Sequence, residues 1–112
     1  MARRKYVEIG LQDKIDSGML EEVLSGFEDR IRGFIESKAR RRIDELELVI
    51  DAEYTSSSGL VIRVDAKISG RLIAPLSYDE LLAEALDYAG EWLEEELRRR
   101  VGRKGKSTTR DD

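Results

Sequence analysis

The side chains able to do chemistry in this chain are carboxylates, guanidiniums, ammoniums and a few hydroxyls, because its 112 residues include neither histidine nor cysteine. An imidazole base, a thiolate nucleophile and a thiolate or imidazole metal ligand are therefore excluded at the outset. The carboxylates cluster in Glu21-Glu22, in Glu94-Glu95-Glu96 and at Glu47, Asp51 and Glu53. Neighbours on a helix splay about 100° apart, so the first two runs cannot turn their oxygens onto one ion. A divalent cation needs several converging oxygens, which nothing in these spacings provides. Ser56, Ser57 and Ser58 lie in a turn-like run with no base beside them, and an unactivated hydroxyl is a weak nucleophile. Neither common glycine-rich phosphate loop is present. No catalytic, cofactor-binding or metal-binding residue is expected, and the chain reads as a non-enzyme.

The basic residues are better placed to act. Arg3, Arg4 and Lys5 open the chain, Arg40, Arg41 and Arg42 form a run, and Arg98, Arg99, Arg100, Arg103, Lys104 and Lys106 crowd its end. Residues 6–97 carry 10 basic and 22 acidic side chains, so an acidic body has basic ends within a net charge of −4. Two readings compete. Such runs commonly complement helix dipoles and keep a surface solvated. Clustered Lys and Arg are also all that sequence-independent phosphate binding requires, so RNA contact is the alternative, opposed by the acidic body.

These residues must be held by a few clear elements. Leu20, Val23, Leu24, Phe27, Ile31, Phe34, Ile35 and Ala39 recur at helical spacing, and Asp16 or Ser17 can cap the helix they define. Gly26 and Gly33, seven apart, are either tolerated imperfections or a point of close approach. Residues 45–54 and 60–68 alternate with period two and predict two strands, joined through Thr55-Ser56-Ser57-Ser58-Gly59. Pairing Tyr54 with Leu60 sets Asp51 opposite Arg63 and Glu47 opposite Lys67, whereas a two-residue slip sets Glu47 against Asp65. Pro75 closes the strand region. Ser77-Tyr78-Asp79-Glu80 is a capping box with Leu76 and Leu81 as its staple. Leu81, Leu82, Ala85, Leu86, Ala89, Trp92, Leu93 and Leu97 continue as a second helical stripe, with Gly102 as a stop. Residues 6–11 alternate weakly and predict either a third, edge strand or an extended arm.

The expected fold is α+β in two layers: an antiparallel hairpin sheet, with or without an N-terminal strand, and two long helices on one face. The order is (β)-α-β-β-α. Residues 1–101 form the domain and 102–112, which lack any apolar side chain, a disordered basic tail. Leu46, Leu48, Ile50, Ile62, Val64, Phe27, Ile31, Leu86 and Leu93 should share one core. Following the chain up and down places Arg40, Arg41 and Arg42 at one end and Arg98, Arg99 and Arg100 at the other.

The order of extended Val7-Glu8-Ile9-Gly10-Leu11, helix, hairpin with Glu45-Leu46-Glu47-Leu48-Val49-Ile50, then Pro75 before an acidic amphipathic helix resembles a family of small, uncharacterised archaeal proteins with a helix–hairpin–helix domain. Genes of that family often lie beside those for the beta subunit of prefoldin and a small subunit of KEOPS, the complex that makes the threonylcarbamoyl modification of tRNA adenosine. That small dimerising subunit also has two helices against an antiparallel sheet. The resemblance spans residues 6–100, rests on the pattern of elements, and assigns no functional residue. It implies a role in an assembly or a tRNA context.

Composition supplies the setting. Arg outnumbers Lys by 14 to 6 and asparagine is absent, as in proteins of hot environments, although a GC-rich genome also favours Arg. No apolar run approaches the ~20 residues needed to span a bilayer, and no apolar segment follows the basic start as a signal peptide would require. A cytoplasmic protein is expected, acting through protein–protein contacts as an assembly or accessory subunit. The hairpin sheet leaves strand edges unpaired, so a homodimer or a hetero-partner should cover one. The edge expected is that of the second hairpin strand, with Leu60, Ile62, Val64, Ala66, Ile68 and Leu72 along it.

Overall fold

The computed structural model describes residues 2–10, 16–55, 57, 59–71 and 77–110, with backbone alone at 41 and 101–110. Its elements are β1 (Ala2–Ile9), α1 (Ser17–Ala39), a 3-10 turn (Arg40–Arg42), β2 (Ile43–Thr55), β3 (Gly59–Gly70) and α2 (Tyr78–Arg110). This is the α+β order expected, with the N-terminal strand present.

The hairpin has the register that its charges select. Tyr54 pairs with Leu60, Asp51 with Arg63 and Glu47 with Lys67. Gly59 takes φ 77 at the turn, where a residue lacking Cβ pays no steric penalty. One feature was not anticipated. The β2–β3 register shifts between Ile43 and Glu45, and beside the shift Gly70 packs so closely that a Cβ there would fall on the Arg42 carbonyl oxygen. That oxygen accepts the Arg71 amide at 2.7 Å, which fastens the sheet's end to the turn after α1.

β1 pairs antiparallel with β3, Ala2 opposite Lys67 and Ile9 opposite Leu60, and the strand order is β1-β3-β2. The strand covers residues 2–9 where 6–11 were expected, because Arg3, Arg4 and Lys5 extend it toward the end of β3; Leu11 lies outside the described residues. This placement corrects the expected edge. β3 is the central strand, so Leu60, Ile62, Val64, Ala66 and Ile68 have strands on both sides and belong to the core; Leu72 lies outside the described residues. Among the described residues the free edges are those of β1 and β2.

Both helices pack on the face that carries the even-numbered residues of β2 and β3. Asp16 caps α1, accepting from the amides of Gly18 at 2.9 Å and Met19 at 3.4 Å. In the capping box of α2, the Ser77 hydroxyl accepts from the Glu80 amide at 3.2 Å and donates to the Glu80 carboxylate at 3.1 Å. Leu81 is buried as expected of a staple residue, while its partner Leu76 lies outside the described residues. Phe27, Ile31, Ile62, Val64, Leu86 and Leu93 are buried together as expected; Leu46, Leu48 and Ile50 face the same way but remain half-buried. The α2 backbone runs through Gly102 to Arg110 rather than stopping at the glycine, since a helical glycine costs only ~1 kcal/mol.

Candidate functional site

The basic residues come together less than their clustering in the sequence suggests. Arg3 reaches from β1 to the start of α2, its Nε donating to Asp79 at 2.7 Å, and Arg4 donates to Asp65 at 2.7 Å. The Arg3 bond holds the Asp79 carboxyl below its usual range. At the far end Arg98 binds Glu94 at 2.9 Å, and Arg100 binds both Glu96 and Glu22 at 2.8 Å. Arg99 also pairs with Glu96. Hydrogen bonds from Arg99 and Arg100 draw the Glu96 carboxyl from 4.5 down to about 2. These arginines therefore carry their own counter-charges, which lowers the positive potential they offer to a phosphate. Arg40 and Arg42 are exposed beyond α1, and Arg40 has a φ of 56, unusual for a residue with a side chain. Lys5 is half-buried beside α2. The side chains of Arg41, Arg103, Lys104 and Lys106 lie outside the described residues.

The layout of ends is as the chain path requires. Arg3, Arg40 and Arg42 lie toward the end where α1 finishes, and Arg98, Arg99 and Arg100 toward the other. No continuous basic stripe joins them among the described residues. On the outward sheet face β3 alternates in sign through Arg63, Asp65 and Lys67, beside the acidic row of β2. A shallow open depression there is bordered by Arg4, Glu47, Val49, Asp65 and Lys67, a mixed set suited to neither a phosphate nor a cation. Among the described residues no group of three acidic side chains is placed to hold a metal ion. No described helix is long and apolar enough to cross a membrane.

The β2 edge is different in kind. β2 is 13 residues long, against 8 for β1, and among the described residues it pairs with β3 alone. At about 3.3 Å per residue, residues 44–53 present an edge about 33 Å long. On its inner face Leu46, Leu48, Ile50 and Ala52 are half-buried, whereas Leu60, Ile62, Val64 and Ile68 on the same face of β3 are wholly buried. The helical layer thus buries the inner face of β3 fully and that of β2 only in part. Arg32 of α1 donates to the β2 backbone, reaching the Leu46 carbonyl at 3.1 Å. On the outward face Val49 is 57% exposed, flanked by exposed Glu47 and Asp51. Asp51 pairs with Arg63 across the sheet. A partly covered apolar face beside a long unpaired edge is what strand addition uses: backbone bonds provide affinity and alternate side chains provide selectivity.

The half-exposure of β2 was invisible in the sequence, where its alternation matches that of β3. The signal that separates them is the N-terminal strand: once it pairs with β3, β2 must be an edge.

No protein-family model matches the chain, and no curated protein does. Among solved structures, a crystal structure from Thermococcus onnurineus NA1 is similar, with a TM-score of 0.71 at 17% identity over 92% of this chain and 98% of that one. At that identity the likeness concerns the fold: the same arrangement of sheet and helices is built from a largely different sequence.

Proposed function

We propose that this chain is a non-catalytic assembly subunit that binds another protein by strand pairing along β2. The observation that carries the reading is the contrast between the wholly buried inner face of β3 and the half-buried Leu46, Leu48 and Ile50 beside it. A partner strand laid along β2 would complete both the hydrogen-bond ladder and the apolar layer. The resemblance to a small archaeal family encoded beside prefoldin beta and a small KEOPS subunit points the same way, since both neighbours belong to multi-subunit complexes. RNA binding through the basic ends has less support, because five of the candidate arginines are paired with the chain's own carboxylates.

Site-specific photo-cross-linking tests the reading. A photoreactive residue at Val49 or Glu53 should capture one defined protein in cells of the native organism, and the same residue at Asp29 on the helical layer should not. Capture of RNA from Arg42 or Arg98, with nothing from β2, would replace this reading with the nucleic-acid one.

A further inference from the structure

The side chains of β2 restrict what can pair with it. Its outward positions are Glu45, Glu47, Val49, Asp51 and Glu53, all exposed, so four of the five are carboxylates. β3 answers only two of them with a basic residue, Lys67 opposite Glu47 and Arg63 opposite Asp51; Glu45 stands opposite Ser69 and Glu53 opposite Val61. An added strand places its own outward side chains against the same row from the free side. Opposite charges there stabilise the pair and like charges directly opposite destabilise it.

A second copy of β2 is the first occupant to consider, and it fits badly. A twofold axis sets same-face residues against each other. Centred on Val49, self-pairing places Glu47 against Asp51 and Glu45 against Glu53, each contact occurring twice. Sliding the copies by two residues leaves Glu45 against Asp51 twice, and sliding them the other way leaves Glu47 against Glu53 twice. Every such register meets like charge.

Resting on the docking role assigned to β2 above, we propose that its occupant is a strand of a different protein, with Lys or Arg at alternate outward positions and apolar residues between them. The basic residues would face the carboxylate row. The apolar ones would extend the inner layer over Leu46, Leu48 and Ile50. The excess of acid in residues 6–97 would also draw a basic partner in from a distance and repel a second copy.

Three synthetic peptides of matched length decide the matter, with valine at inward positions and Lys, Thr or Glu at the outward ones. Each is titrated into the isotope-labelled full chain while the backbone amides are followed by NMR. The Lys peptide should shift the β2 amides, bind on the order of tenfold more tightly than the Thr peptide, and lose that advantage as salt rises. The Glu peptide should not bind. In a Glu45→Lys, Glu53→Lys chain, which breaks no ion pair with β3, the preference for Lys should disappear. Equal binding of the Lys and Thr peptides would overturn the charge assignment while leaving β2 as a docking edge. Shifts confined to β1, or none, would overturn both. The chain alone should scatter light as a 12.8 kDa monomer; a dimer with its β2 amides protected from exchange would also overturn the proposal.

Discussion

Single residues decide how closely the two helices approach. A Cβ on Gly26 would lie 2.6 Å from the Trp92 ring, over which Arg30 stacks with its guanidinium 4.0 Å from the ring centre. A Cβ on Gly33 would meet nothing within 4 Å. The two glycines look alike in the sequence, and only the position of Trp92 tells them apart: Gly26 makes room for a ring, and Gly33 is the tolerated imperfection. Gly33→Ala should therefore stabilise the fold by about 0.5–1 kcal/mol in urea unfolding, through helix propensity. Gly26→Ala should destabilise it by about 1–2 kcal/mol, through overpacking. Combining Gly26→Ala with Trp92→Leu should recover part of that loss. Glu96 gives a prediction in pH. Because Arg99 and Arg100 depress its pKa in the folded chain, its contribution is complete above 4.5 and lost as pH falls through about 2. Glu96→Gln should thus be less stable than wild type near neutrality, and the two acid-unfolding curves should converge across that window.

The elements were legible to different degrees, for different reasons. The hairpin register was readable over residues 45–54, because period-two alternation and two oppositely charged cross-strand positions admit one register. The second helix start was readable from Ser77 and Glu80, whose side chains have few other local partners. What could not be read locally was the order of strands. Whether Arg3 to Ile9 joins the sheet depends on long-range pairing with β3 and on the bond from Arg3 to Asp79, and neither leaves a mark in the strand's own weak alternation. That single event made β3 the central strand and left β1 and β2 as the edges. Gly70 was missed because its role depends on the approach of Arg42 from another element. Gly70→Ala should destabilise the chain by about 2–3 kcal/mol in chemical denaturation, since backbone rather than a movable side chain occupies the space. In α2, the last buried described residue is Leu97, and nothing apolar follows Val101. Amide exchange should therefore be slow up to Leu97 and fast from Gly102 onward, helical backbone notwithstanding.

At the scale of the whole molecule, the helices and the sheet do not match in width. Two helices on a three-stranded sheet bury β3 and leave β2 with one side unpaired and one face half-covered. At the basic ends Arg3 with Asp79 joins the sheet to α2 and Arg100 with Glu22 joins the two helices, which accounts for part of their charge without any ligand. The sites readable from the sequence were charge clusters. The edge became a candidate only once burial could be compared strand by strand. The most direct test of β2 as the docking edge is amide hydrogen exchange on the isolated chain and on the same chain in the assembly recovered from its native cells. The account predicts slower exchange across residues 45–54 in the assembly, with β1 and the arginine-rich segments unchanged. Unchanged exchange in β2, with protection appearing instead around Arg40–Arg42 or Arg98 to Arg100, would contradict it.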